Sequence, residues 1–222
     1  MSAVIVYLGP SLPLSEAQTL LEADYRPPVK RGDLPRSFDG TVVIIDGEFG
    51  QSLSVSPNEI LRLLDAGTRV IGAASMGALR AAELYPYGMR GCGWIFEAYM
   101  DGRLIADDEV AVTYSPLDLT ALTVPLVNVR VWLERLEAAS QIDGPTARLL
   151  LARARRIFYA DRTLEHLVKE WEEAIGTERL QWILRASGEG ITDIKAADAR
   201  AALAVARDTI ELERRELCDG VR

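Results

Sequence analysis

The stretch Arg69-Val-Ile-Gly-Ala-Ala-Ser-Met-Gly-Ala-Leu-Arg80 constrains the fold more than any other part of the chain. A short β-branched run ends at about Ala73, Ser75 occupies the turn, and helix-forming residues begin at once. A buried strand that passes so abruptly into a helix demands an α/β arrangement, because the helix must fold back on the sheet it has left. Small residues on both sides, Ala73 and Gly77, let strand and helix approach. The pattern is close to a nucleophile elbow, Gly-x-Ser-x-Gly, with Ala73 in place of the first glycine. In that geometry the Ser75 hydroxyl stands above the sheet edge. The backbone N–H of Met76, at the helix N-terminus, can then donate to an oxyanion. A tight βα turn whose serine merely caps the helix fits the same residues equally well.

The surrounding sequence supports a parallel sheet. Strands are expected at Val4–Leu8, Thr41–Asp46 and Arg69–Ala73, each a Val/Ile run of the kind buried on both faces. Between the last two lies Pro57–Gly67, with Ser56 as N-cap, Pro57 at the first helical position and Gly67 as the stop. Strand, helix and strand joined by short links make a βαβ unit. A helix from Met76 to about Leu84, a flexible link at Gly88–Gly93, a helix at Trp94–Met100 and a strand at Glu109–Tyr114 follow. Residues 1–102 hold 12 of the 17 glycines and 7 of the 10 prolines, so tight turns concentrate there. Beyond Pro116 the pattern is helical, with stripes through Leu126–Ala139, Ala147–Phe158, Leu164–Trp171, Leu180–Leu184 and Ile194–Leu217. The expected architecture is α/β: a mainly parallel N-terminal sheet with βαβ units, then an α-helical C-terminal half packed against it. The expected division is a core over residues 1–116 and a helical region over 117–222, together one compact body.

Composition removes several function classes. The 222 residues carry a net charge of −8, which disfavours a sequence-independent grip on nucleic acid or an anionic membrane. The longest nearly apolar stretch, Val70–Leu79, is about half of a membrane span. The N-terminus reads as a strand rather than a secretory signal, so a cytoplasmic protein is expected. Two distant cysteines, Cys92 and Cys218, make neither a disulfide framework nor a metal cluster. One histidine, His166, sits in a helical stripe and leaves little room for a histidine triad or metal site.

A serine nucleophile needs a base, and the lysines number three: Lys30, Lys169 and Lys195. Lys169 lies on a solvated Lys-Glu helix face, and Lys195 begins an Ala-rich helix, both ordinary surface settings. Lys30 differs, because it lies in Arg26-Pro-Pro-Val-Lys-Arg-Gly-Asp-Leu-Pro35, a loop stiffened by three prolines. Such a loop can hold a side chain over the sheet edge near Ser75, or it can be a plain solvated basic loop. Asp46, at the end of a strand, can orient or charge-balance Lys30 where open α/β sheets bind ligands, or simply form an Asp-Gly turn. Asp107-Asp108-Glu109 offers carboxylates to Mg²⁺, but a charge run before a strand is more often a solvated turn. Gly9-Pro-Ser-Leu12 lacks the Gly-Lys-Ser/Thr of a phosphate-binding loop.

Taken together, Val6–Leu12, Pro27-Pro-Val-Lys-Arg-Gly-Asp33, Ile45-Asp-Gly-Glu-Phe49 and Gly72–Leu84 resemble the TfuA family. Gly88-Met…Gly91, Ile95–Tyr99 and Asp107–Val112 resemble the rest of its core, so the likeness spans about residues 4–116. The chain departs from the family pattern at Glu48 and at Gly50, where an apolar residue and a histidine are expected.

The resemblance implies a partner of YcaO enzymes in peptide backbone thioamidation. It implies a hydrolase with a serine–lysine pair, Ser75 and Lys30, releasing sulfide from a ThiS-like carrier that ends in a thiocarboxylate. Met76, Gly77 and Asp46 are then supporting residues, with the Gly9 loop as a second source of an oxyanion donor. No cofactor and no metal are implied, and the precursor peptide is a further partner. The competing expectations are a non-catalytic adaptor that recruits YcaO, carrier or peptide, and a generic esterase.

Overall fold

The computed structural model describes residues 3–50, 52–188 and 190–219. The chain divides into two compact units, Met1–Ile105 with Lys195–Arg222, and Ala106–Ile194. The side chain of Cys218 lies outside the described residues.

The first unit is built on a five-stranded parallel sheet. Its strands are β1 (Ala3–Tyr7), β2 (Asp24–Arg26), β3 (Gly40–Ile44), β4 (Arg69–Gly72) and β5 (Arg90–Gly91). The spatial order is β2-β1-β3-β4-β5, with every neighbouring pair parallel. Residues Val4–Tyr7 and all of β3 are buried, which is why their sequences are unbroken Val/Ile runs rather than alternating ones. The order reverses between β1 and β3. Their C-terminal loops therefore diverge there, the place where open α/β sheets open a crevice.

Helices α1 (Leu14–Leu20), α2 (Pro57–Asp65) and α3 (Met76–Leu84) link the strands, and α4 (Trp94–Met100) follows β5. Helix α2 begins with a full capping box between Ser56 and Glu59, with proline inside the first turn. It ends in a Schellman arrangement, where Gly67 N–H donates to Leu64 O and Thr68 N–H to Leu63 O. The left-handed φ of +81° at Gly67 is what requires glycine there. Helix α3 occupies the span that the sequence predicts.

The long C-terminal helix α9 (Ile194–Asp219) lays an Ala/Leu face on the sheet. Ala196, Ala199, Ala202, Leu203, Ala206 and Ile210 share one core with Val4, Val6, Val43, Ile71, Ala73 and Ala74.

Helices α5 (Leu126–Ala138), α6 (Gly144–Arg156), α7 (Leu164–Ile175) and α8 (Thr177–Ala186) make the second unit. Trp132 stacks on Trp171 at 5.5 Å between ring centroids, and the Trp171 indole donates to Leu150 O at 2.9 Å. Thr163 caps α7, its side chain accepting from His166 N–H.

Three expectations need correction. Glu109–Tyr114 is not a strand. Asp107–Glu109 forms a 3₁₀ turn, and Tyr114 makes an isolated antiparallel bridge to Ala121. Glu109 decides this: its carboxylate, 1 % exposed, receives Arg130 and Arg155, which an extended solvated segment could not offer. Glu109 is therefore neither a solvated turn residue nor a free metal ligand. Second, the link at Gly88–Gly93 contains β5, the edge strand. Third, the loop between the Val4 and Thr41 runs holds α1 and the short strand β2.

Candidate active site

The C-terminal ends of the strands gather the chemistry-bearing residues of the first unit. Strand β4 ends at Gly72, and the chain reverses through Ala73, Ala74 and Ser75 into α3. Ala74 holds φ = +62°, the left-handed region that a side-chain-bearing residue seldom occupies. Ser75 N–H donates back to Ala73 O at 2.7 Å, which makes Ala74 the centre of a strained γ-turn. Strain of this kind persists where surrounding contacts over-determine it. Here the end of β3 supplies them: Ala73 N–H donates to Ile44 O and Gly77 N–H to Ile45 O.

Ser75 precedes α3 but does not cap it, since its side chain accepts no hydrogen bond from the helix. The capping explanation for the serine therefore fails. Ser75 is 7 % exposed, and Ala78 and Leu79 N–H groups turn to its backbone oxygen rather than its hydroxyl. The N–H of Met76 has no partner among the described residues, so one donor remains at the start of α3. Gly77 N–H, by contrast, is committed to Ile45 O. What Gly77 contributes is the absence of a side chain: a Cβ there would sit 1.7 Å from Ile44 O.

Asp46, 2 % exposed, closes the crevice between β1 and β3. One carboxylate oxygen accepts from Gly9 N–H at 2.9 Å and Ser11 N–H at 3.1 Å, and the other accepts from the Ser11 hydroxyl at 2.7 Å. Asp46 thus fastens the loop after β1 rather than pairing with Lys30. The same bonds occupy the Gly9 N–H, so that group is not an oxyanion donor. Ser11, 3 % exposed, belongs to this network, and no spacing in the sequence pointed to it.

Lys30 lies on a loop fixed at both ends. Val29 is fully buried and pairs with Gly47, Arg31 N–H donates to Leu53 O, and Gly32 N–H donates to the Glu59 carboxylate at 2.7 Å. Gly47 abuts Met76, whose side chain would stand 2.8 Å from a Cβ at that position. The Lys30 loop therefore runs beside the serine turn. The Lys30 side chain itself is exposed to solvent.

Lys195 reverses its expected setting. It is 3 % exposed, not a surface lysine. Its burial follows from the face of α9 that meets the sheet, since Lys195, Asp198, Ala199 and Ala202 share the i, i+3, i+4, i+7 positions. The signal was present in the sequence: the stripe Ala199–Ala202–Leu203–Ala206, stepped back by four, lands on Lys195.

Asp198 fastens the start of α9 to the edge of the sheet. It accepts from Trp94 N–H at 2.9 Å and Ile95 N–H at 2.7 Å, serving the first turn of α4 where Gly93 has no side chain to do so. Burial pushes its carboxyl up to about 6, against the two N–H bonds that favour the charge. Cys92 is held as a thiol, because burial first and the Asp198 charge second push it up to about 11.

Among the described residues, no helix is long and apolar enough to cross a membrane. No curated protein matches the chain. The family model described as TfuA-like protein matches residues 46–163, a span that holds Asp46 and the whole serine turn but neither Lys30 nor Lys195. That span is more than half of the chain, which therefore belongs to the TfuA-like family.

Proposed function

We propose that this protein is a serine hydrolase of peptide thioamidation. It would cleave the C-terminal thiocarboxylate of a ThiS-like carrier and release sulfide beside a YcaO enzyme that has activated a peptide amide. The observation that carries this reading is Ser75, a serine on a strained strand-to-helix turn whose hydroxyl is not spent on capping. Family membership supports the YcaO partnership and the place in thioamidation.

The chemistry is acyl transfer. A lysine takes the Ser75 proton, and the alkoxide attacks the thioacid carbon, forming a C–O bond. The Met76 N–H donates to the oxyanion, an interaction whose loss typically costs about 3–4 kcal/mol of barrier. The C–S bond breaks, sulfide leaves with the proton returned by the lysine, and the carrier remains as a Ser75 ester. Water then hydrolyses that ester with the lysine again as base, giving a carboxylate and free Ser75. Lys30, on its fixed loop, is the candidate for the Ser75 partner that the sequence resemblance implies.

The test is sulfide release from a thiocarboxylated ThiS-like carrier, comparing wild type with Ser75→Ala. Loss of release in the variant, with loss of thioamidation in a reconstituted YcaO reaction, is the expected result. A Ser75→Ala protein that supports thioamidation at the wild-type rate would make the chain an adaptor instead.

A further inference from the structure

We infer that the cavity at the N-terminal ends of β4 and β5 binds a small anion carried on a flat aromatic body. Ser75 follows the C-terminal end of β4, so this cavity lies at the opposite edge of the sheet. The inference is independent of the hydrolase reading.

The cavity holds about 360 Å³ and lies within the first unit, a volume suited to a small molecule. Leu64, Val70 and Ile71 give it apolar surface, Tyr87 an aromatic wall, and Arg69 and Arg90 its charge. Strand register explains why two arginines meet there. Arg90 pairs with Ile71 across β4 and β5, and paired residues of neighbouring strands point to the same face. Arg69 stands two residues before Ile71 and shares that face. Neighbouring strands lie about 4.8 Å apart and two residues rise about 6.6 Å, which separates the two arginine Cα atoms by about 8 Å. Ile71 and Ile210 of α9 share one core, and Thr209 lines the cavity, so α9 closes this side.

Other polar groups around the cavity are committed elsewhere. The Thr68 hydroxyl donates to Phe38 O and the Thr209 hydroxyl to Val205 O, each at 2.7 Å. The Leu63 and Leu64 carbonyls that end α2 accept from Thr68 and Gly67 N–H. Arg69 Nε donates to Thr41 Oγ1 at 3.3 Å, which ties its stem to the sheet. Gly67 and Gly88 keep the mouth open, since no atom lies within 4 Å of where a Cβ on either would stand.

Charge and shape define the ligand. The chain carries a net charge of −8, yet among the described residues no carboxylate lines this cavity. Two guanidiniums around one concave surface create a local positive field that selects an anion. The guanidinium fork matches the paired oxygens of a carboxylate or phosphate. Tyr87, 64 % exposed, offers a ring face beside the arginines. The ligand class is therefore an aromatic phosphate or an aromatic carboxylate, its anion held by Arg69 and Arg90 and its ring set against Tyr87 and the apolar floor.

The test is calorimetric titration of the full chain with two probes, adenosine monophosphate and indole-3-acetate. At least one should bind with a Kd below about 1 mM, and the tighter of the two identifies the anion. Adenosine and inorganic phosphate, which each lack half of the recognised chemistry, should bind about 10-fold more weakly or worse. Arg90→Met should weaken the better probe by about 10-fold or more, and Tyr87→Ala by about 3-fold or more. Arg185→Met, which removes the same charge from the second unit, should bind as wild type does. Thermal melts confirm the fold of each variant. If Arg90→Met does not fold, Arg90→Lys decides, since it keeps a charge without the planar fork and should also bind more weakly. Three results would each overturn the inference: neither probe binding below about 1 mM, adenosine binding as tightly as its phosphate where that is the better probe, or folded Arg90 and Tyr87 variants that bind as wild type does.

Discussion

Gly77 sits against Ile44 so closely that a single added carbon would stand 1.7 Å from the Ile44 carbonyl oxygen. The contact joins the first turn of α3 to the end of β3, and Ser75 is two residues away. The added Cβ would meet only backbone atoms of Ile44 and Ile45, so no side-chain rearrangement can relieve the clash. Gly77→Ala should destabilise the protein by about 3 kcal/mol or more and displace Ser75. Denaturant titration gives the first effect. Serine labelling of whatever folded fraction remains gives the second.

Asp46 offers a separate test of how the site edge is held. Its removal strands two backbone N–H groups and one hydroxyl, those of Gly9 and Ser11, in a buried crevice. Asp46→Ala should cost about 3 kcal/mol, and Asp46→Asn, which keeps one acceptor oxygen, should cost less. Equal stability of Asp46→Ala and wild type in urea would show that the loop after β1 does not depend on this carboxylate.

Stability should also carry the signature of Asp198. Its carboxyl is raised by burial to about 6, above the ordinary range, so the folded state holds the proton more tightly than the unfolded state. Its contribution is fullest below about pH 4 and is lost as pH rises through about 6. The amplitude is on the order of 3 kcal/mol. The difference in unfolding free energy between wild type and Asp198→Ala should therefore shrink from pH 4 to pH 7, measured by denaturation at several pH values. A difference independent of pH would contradict this.

In the second unit, Glu109 accepts Arg130 and Arg155 while the buried Arg162 guanidinium lies within its field. Arg162 donates to the Ala154 and Ile157 carbonyls at 3.2 and 3.0 Å, so its plane is fixed. Glu109→Ala leaves Arg130 and Arg162 without this compensation and should destabilise by about 3–5 kcal/mol. Calorimetry with and without the substitution measures it.

Most of the fold could be read from hydrophobic pattern because buried parallel strands announce themselves. Val4–Tyr7, Gly40–Ile44 and Arg69–Gly72 are Val/Ile runs, and α2 carries its start and stop in Ser56, Pro57 and Gly67. The strands that escaped are β2 and β5, three and two residues long, where polar Asp24 and Arg90 conceal an edge position. Glu109–Tyr114 misled for the opposite reason: Val110 and Val112 imitate strand alternation, while the structure there is set by an ion pair with arginines distant in sequence.

At the site, Ser75 was visible through its small neighbours, but the strain at Ala74 was not, because alanine gives no hint of a positive φ. Lys195 was hidden by the alanines around it. An Ala-rich helix reveals which face is buried only once its longer stripe is followed back to its first turn.

The central claim is that Ser75 carries the acyl group. Its most direct test is the intact mass of the protein quenched during turnover of a thiocarboxylated carrier. A covalent carrier adduct that maps to Ser75, disappears on longer incubation and is absent from Ser75→Ala is the expected result. Sulfide released at the wild-type rate by Ser75→Ala, with no adduct in either protein, would contradict the account.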